Sequence, residues 1–197
     1  WRAIFMLYVA YALIVGGWVA FRLKETLPVE QRIPFHVRNI IEGFREVIGN
    51  RVTMCYMVCI GICFGSFIGY LNASRQIFQD QFGVGKLFTV YFGGLALVFG
   101  AASLLNARFV AKLGMHYICF RSVISIIIAS AIFLVVHLLV HIELWMFLAY
   151  ASVLFFAIGL MFGNMNAIAM EPMEHVAGIA AAVIGAVSSL ISMTLGG

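Results

Sequence analysis

RLKETLPVEQRIPFHVRNIIEGFREVIGNR, residues 22–51, is the long polar stretch of this chain, and its cations decide how the rest is read. It carries Arg22, Lys24, Arg32, Arg38, Arg45 and Arg51. One long apolar run precedes it and five follow. Moving cations across a bilayer is disfavoured, so a connecting loop rich in Lys and Arg stays on the cytoplasmic side. Placing residues 22–51 there sets the direction of every apolar run on either side.

Working outward, the apolar runs are Ala3 to Phe21, Val52 to about Asn72, Leu87 to Leu105, Tyr117 to about Val136, Leu144 to about Ala169, and Val176 to Leu195. A helix needs about 20 apolar residues to cross the hydrocarbon core, and each run has roughly that length. Hydrophobic residues make up 64% of the chain and charged ones 10%, with a mean hydropathy of +1.08. Soluble domains are about 25% charged. The expected fold class is therefore an all-α membrane protein with six transmembrane helices. The chain opens on Trp1 without a Met and stops at Gly197 inside an apolar run, so it reads as a fragment of a longer protein. The net charge of +4 sits in loops between spans, where it fits a juxtamembrane role and does not indicate a nucleic-acid surface.

Between the spans, charge alternates as the cytoplasmic placement requires. Arg108, Lys112 and Arg121 join the six cations of the long loop on the inner side. Arg2, Arg75 and Lys86 fall outside. Asn72 to Lys86 is expected to be an outer connection, Asn106 to His116 a short inner turn, His137 to Glu143 a tight outer turn, and Glu171 to His175 a further inner turn. Within the long loop, Phe35 to Gly49 sets Phe35, Ile40, Ile41, Phe44, Val47 and Ile48 at near-helical spacing among charges. That pattern predicts an amphipathic helix on the membrane surface or against the bundle.

Chemistry-bearing motifs are few. HExxH, a phosphate-binding GxxxxGK[ST] loop and GxSxG are all absent. Cys55, Cys59 and Cys63 share one helical face by their spacing of four and, with Cys119, lack nearby metal-ligand partners in the sequence. They read as small packing residues, and no metal or cofactor is expected. His137 and His141 lie near one membrane surface without an evident partner. Gly61, Gly65 and Gly69 recur every four residues in the second span, and Gly159 and Gly163 do so in the fifth. In the sixth span Gly178 shares a face with Ala182 and Ala186, and Gly185 shares another with Ala181 and Ser189. Such small-residue faces let helices approach closely. At about 100° per residue, Asn166 falls near the Gly163 face and Asn164 on the other side. Asn166 is thus expected to bond a neighbouring helix, and Asn164 to face a cavity and meet substrate.

Three stretches, in this order, carry a family resemblance. They are Phe21-Arg-Leu-Lys-Glu-Thr-Leu-Pro28 at the exit of the first span, Leu104-Leu-Asn-Ala-Arg-Phe-Val-Ala-Lys-Leu-Gly114 between two spans, and Ala169-Met-Glu-Pro-Met-Glu-His-Val-Ala-Gly178 with the Ile-Ala-Ala-Ala-Val-Ile-Gly185 that follows. Together they resemble the central loop and C-terminal half of a major facilitator superfamily transporter, and more narrowly the Bcr/CflA multidrug exporters. The resemblance implies a partial fold of helices six to eleven of twelve. Residues 1–21 would be helix six, 22–51 the cytoplasmic central loop, and 52–197 an incomplete C-terminal bundle of helices seven to eleven. Asn106, Arg108, Lys112 and Gly114 would form the second copy of the superfamily's cytoplasmic loop motif, with Asn106 and Ala107 where an acid usually precedes the Arg.

The resemblance also implies a function. It is export of drugs or other small apolar molecules across the inner, cytoplasmic membrane, with protons as the coupling ion and no enzymatic step. Tyr70, Asn72, Arg75 and Gln76 would line the outer mouth of the transport cavity, because the corresponding helix faces that cavity. Transport of another small metabolite and a non-transporting channel or scaffold stand as alternatives, and an inverted repeat of three-helix units would favour a transporter. No Asp or Glu lies in the middle of any span, so the family's proton-binding acid would belong to the other half.

The topology is directly testable. Cysteines placed at Arg38 and Lys112 should react with an impermeant thiol reagent from the cytoplasm only, and one at Gln79 from outside only. The opposite pattern would reverse the orientation of every span.

Overall fold

The computed structural model describes residues 2–23 and 37–197. Among them there are helices and turns and no strand. The prolines at 28 and 34, the cations Lys24 and Arg32, Phe35 and most of the first resemblance stretch lie outside the described residues. Residues 1–37 form one unit and 38–197 another.

In the first unit, α1 (Arg2–Arg22) is a 21-residue apolar helix that buries no residue. Arg22 at its C-terminus sits 6.0 Å from the ring of Trp18, where a cation also meets the negative end of the helix dipole.

The second unit holds α2 (Val37–Gly49), α3 (Arg51–Arg75), α4 (Phe88–Leu113), α5 (Met115–Leu139), α6 (Leu144–Met170) and α7 (Ala177–Gly196). The expected amphipathic helix is α2. It turns Gly43 and Val47 into the bundle and leaves Ile41 and Phe44 exposed. A single residue, Asn50, separates α2 from α3. Its extended backbone breaks the helix, and its Oδ1 accepts from the backbone N–H groups of Val52 and Thr53 at 3.0 and 3.1 Å. Such a cap satisfies two of the donors that a helix start leaves unpaired.

Two connections differ from the sequence expectation. The outer connection is shorter than Asn72 to Lys86, because α3 runs on through a π-helical stretch, Gln76–Gln81. Phe78, fully buried in that stretch, holds it in the bundle. The turn itself is tight, with Gly83 and Gly85 at φ 62° and 55°, a left-handed backbone that favours glycine. The inner turn of Asn106 to His116 is reduced to one residue. No breaker lies between Leu105 and Gly114, so α4 continues to Leu113 and stops only where Gly114 adopts φ 80°. Arg108 and Lys112 therefore ride on the last turns of α4, not in a loop. The turn expected at Glu171 to His175 is present: α6 passes into α7 through a 3-10 turn, Glu171–Val176, kinked at Met173 (φ −116°, ψ 21°) just after Pro172.

α6 is the central helix and packs on α3, α4 and α5, while α3 packs on its other side against α7. The bundle has two cores of different character. Towards the α2 end, Met57, Met161, Met165 and Met173 pack with Val47, Ile168 and Ala180. Towards the opposite end, Phe78, Leu95, Ala151 and Phe155 pack with Phe67, Tyr70, Phe88, Tyr91, Phe99 and Phe147.

The small-residue faces divide. Gly61 and Gly65 lie against α7: a Cβ on Gly61 would stand 2.7 Å from Ile191 Cβ, and one on Gly65 would stand 3.1 Å from Ser192 Cα. Gly69 faces Gly196, with 3.7 Å from its Cβ position to that Cα. Gly159 meets α4, where a Cβ would come within 2.7 Å of the Phe99 carbonyl oxygen and 2.9 Å of Ala102 Cβ. By contrast, Gly163, Gly178 and Gly185 have nothing within 4 Å of their Cβ positions among the described residues. A spacing of four marks a face, but a crossing helix touches only part of its length. α4 meets α6 at Gly159 and again at Asn164 through Asn106, whereas Gly163 lies on the exposed side of α6. α7 turns Ala180, Val183, Ile184, Ser188 and Ser192 inward, so Gly178 and Gly185 lie on its open side.

Gly65→Leu should force α3 and α7 apart, since a leucine there meets backbone atoms that cannot yield. Overpacking of this kind costs about 1–3 kcal/mol. The expected result is a clear loss of folded protein by fluorescence-detected gel filtration, with Gly185→Leu near wild type. Equal yields for the two would mean that the α3–α7 contact is not close.

Candidate functional site

Several polar side chains of the bundle bond between helices. Thr53 Oγ1 donates to the Ala169 carbonyl at 3.0 Å, and Ser188 Oγ donates to the Met57 carbonyl at 3.0 Å. Ser130 and Tyr150 hydroxyls pair at 3.2 Å between α5 and α6. At the α2 end, His175 Nε2 lies 2.7 Å from Glu46 Oε1, and Tyr56 OH lies 3.1 Å from His116 Nδ1. All four cysteines are free, with Cys119 buried against α6.

Asn72 and Asn164 are drawn into this framework. Asn72 Nδ2 donates to the Gly196 carbonyl at 2.6 Å, tying α3 to the end of α7. Asn164 is 4% exposed. Its Nδ2 donates to Asn106 Oδ1 at 2.8 Å and to the Leu160 carbonyl at 2.7 Å. Asn166 Nδ2 donates to the Phe162 carbonyl of its own helix at 2.9 Å. The bond to a neighbouring helix is thus made by Asn164 and not by Asn166. The buried stripe of α6 runs through Ala157, Met161, Asn164 and Ile168, at helical spacing. The Gly163 side, near which Asn166 falls, is open. Asn106 of the loop-motif stretch sits on α4 facing Asn164, whereas Arg108, Lys112 and Gly114 are exposed.

Of the four residues expected at the outer mouth, Arg75 and Gln76 are exposed, and Arg75 Nε reaches Gln79 Oε1 at 3.4 Å. Tyr70 is placed differently. It lines a cavity of 150 Å³ with Phe67 and Leu71 of α3, Phe92, Ala96 and Phe99 of α4, and Phe155 of α6. The Tyr70 ring stacks on Phe92 at 6.1 Å and 7°, and meets Phe155 edge-on at 4.9 Å and 80°. Phe67 closes the far side, 5.6 Å from Phe155 and 6.0 Å from Phe99. The Tyr70 hydroxyl is buried and has no hydrogen-bond partner among the described residues. A wider groove of 520 Å³ runs between α4, α5 and α6 past Tyr117, Arg121, Ser122 and Phe156, but it holds none of the residues expected to meet substrate.

The aromatic neighbours of Tyr70 were not singled out from the sequence. Phe92 and Phe99 recur at an interval of seven on α4, and Phe67 and Tyr70 at three on α3, so each pair could be seen to share a face. Only the crossing of three helices brings Phe155 to them.

Fold and site together define a polytopic α-helical membrane protein whose helices leave a small aromatic cavity between them. The whole of residues 1–197 matches the family model described as Major Facilitator Superfamily. The chain belongs to this superfamily of membrane transporters. It is 28% identical over 97% of its length to a Bacillus subtilis protein described as the uncharacterized MFS-type transporter YdgK, covering 48% of that protein. It is 26% identical over its full length to a Haemophilus influenzae bicyclomycin resistance protein homolog, covering 49% of it. Its identity to multidrug resistance protein D of Escherichia coli is 21% over 99% of the chain and 48% of the relative. The chain therefore spans about half the length of the curated relatives it matches. No solved structure matches it.

The Asn106–Asn164 pair can be tested by a double-mutant cycle. Each single alanine removes the interhelical bond, so both should destabilise, and the two losses should not add. A coupling of about 0.6–1.7 kcal/mol is expected for a hydrogen bond between membrane helices. Additive losses in thermal melts of the purified protein would show that the two amides act independently.

Proposed function

We propose that the chain acts within a secondary transporter that exports drugs or other small apolar molecules across the cytoplasmic membrane, coupled to inward movement of protons. The observation that carries this reading is the aromatic cavity around Tyr70. A binding site for varied apolar compounds needs predominantly apolar walls, and the α3–α4–α6 crossing supplies them. The names of the Haemophilus influenzae and Escherichia coli relatives, which speak of drug resistance, point the same way. Asn72 and Asn164 serve in this reading as struts of the cavity wall, and Arg75 and Gln76 as its exposed outer rim.

Transport would proceed by rocking of helix bundles about a central site. The spans of this chain carry no carboxylate in their apolar stretches. A buried acid is the usual proton carrier within a membrane, so coupling would draw on an acid beyond these spans.

The native gene, expressed in a bacterial host stripped of its major exporters, provides the test. Resistance to several apolar drugs should rise at least fourfold, and cells loaded with a fluorescent drug should lose it until an ionophore collapses the proton gradient. Unchanged resistance across the panel would remove the export reading. Efflux indifferent to the ionophore would remove proton coupling alone.

A further inference from the structure

The groove of 520 Å³ between α4, α5 and α6 joins an apolar wall to a charged mouth. Its wall runs from Leu113 and Tyr117, at the α4–α5 turn, to Val98 on α4 and Val153 on α6. At 1.5 Å per residue, Val98 to Leu113 covers about 22 Å, more than the roughly 15 Å depth of one leaflet's hydrocarbon. The volume is about three and a half times that of a cavity that takes one benzene ring. Leu113, Tyr117 and Val153 are 52%, 48% and 44% exposed, so the groove opens outward at both ends. Arg121 stands at the mouth, about 9 Å along α5 from Met115. Its guanidinium lies 5.6 Å from the Tyr117 ring and makes no hydrogen bond or ion pair among the described residues. Arg108 and Lys112, on the last turns of α4, are exposed at the same end. No Asp or Glu occurs between Asp80 and Glu143, so α4 and α5 bring these cations no counter-charge. Glu171 and Glu174, at the α6–α7 turn, pair with none of them.

We infer that this groove is a site for one anionic phospholipid, with an acyl chain along the apolar wall and the headgroup phosphate held by Arg121. An arginine on a span can extend its guanidinium to headgroup level and there meet a phosphate through two parallel N–H···O bonds. Basic pockets between membrane helices take anionic headgroups in this way. In the orientation that the loop cations set, the mouth opens at the cytoplasmic leaflet, whose anionic lipids attract such cations. Charge selects the occupant. A zwitterionic lipid carries its own cation beside the phosphate and would leave Arg121, Arg108 and Lys112 uncompensated. A helix from a longer chain, of which this one spans about half in its relatives, would have to bring a carboxylate to the same place. Neither Tyr70 nor any neighbour in its cavity lines the groove, so the lipid site stands apart from the export reading.

Native mass spectrometry of the purified, delipidated native protein counts bound lipids one by one and provides the test. The probes are dioleoylphosphatidylglycerol and dioleoylphosphatidylcholine, with glycerol 3-phosphate as a competitor that has the phosphate but no chain. The wild type should bind phosphatidylglycerol more tightly than phosphatidylcholine. Arg121→Gln should lower the phosphatidylglycerol affinity about fivefold, the effect of one cation near an anionic headgroup, and leave phosphatidylcholine as it was. Ser125→Phe, at an exposed position in the groove wall, should weaken both lipids by filling the space of the chain. Lys86→Gln, beyond the opposite end of α4, should change neither. The inference is overturned if phosphatidylcholine binds the wild type equally well, or if Arg121→Gln leaves phosphatidylglycerol unchanged. It is overturned also if glycerol 3-phosphate displaces the lipid, which would make the mouth a free phosphate site. Retention of neither lipid would show that a helix of the native protein covers the groove, and would overturn it too.

Discussion

The close approach of α3 and α7 is the contact on which the bundle's geometry depends. Inside a bilayer, apolar surface gains little by leaving lipid, so helices associate through close packing and interhelical hydrogen bonds. Both act on the same line here. Gly61 and Gly65 bring the α3 backbone to within side-chain reach of Ile191 and Ser192. The Ser188 hydroxyl then reaches the Met57 carbonyl from α7, and the Asn72 amide reaches Gly196 from α3. Each bond needs the short interaxial distance that the missing side chains permit. On the other side of α3, Thr53 bonds α6 through Ala169. α3 is thus held from two directions, and the position of Tyr70 follows from that hold.

The two cores put different side chains to different uses. Methionine is unbranched and fills irregular space with little directional demand. It gathers at the α2 end, where α3, α6, α7 and the kinked turn at Met173 converge. Aromatic rings are rigid and pack at preferred angles, so they leave gaps of definite shape. They gather at the opposite end, where Phe78 stacks on Tyr91 at 3° and meets Phe88 and Phe147 edge-on. A cavity between rigid rings keeps its form, whereas one between methionines would close. The 150 Å³ space lies among the rings.

Hydropathy located the middle of every span, because length and apolar content are properties of the sequence alone. It misplaced the ends, because a helix stops at a breaker or cap and not where polarity begins. Asn106, Arg108 and Lys112 are polar yet helical, and only Gly114, at φ 80°, ends α4. Phe78 keeps the polar Gln76–Gln81 stretch helical in the same way. The site was legible in part. Tyr70 was singled out from its place near the end of a span, but its cage was not, since Phe155 comes from a helix far along the chain. Periodicity can assign residues to a face, and tertiary contact decides which face is covered.

The two asparagines of α6 show how that decision is made. Both are amides in an apolar span, where an unpaired amide is costly. Two solutions are available to such a group: a partner across the helix interface or a carbonyl one turn back. Asn166, away from the buried stripe, takes the second and donates to Phe162. Asn164 takes both, donating to Leu160 and to Asn106. The difference lies in what stands opposite. Asn106 stands opposite on α4. A neutral amide there can donate and accept at once, so it matches another amide without placing a charge in the bundle. The amide at position 106 and the burial of Asn164 are therefore two sides of one α4–α6 contact.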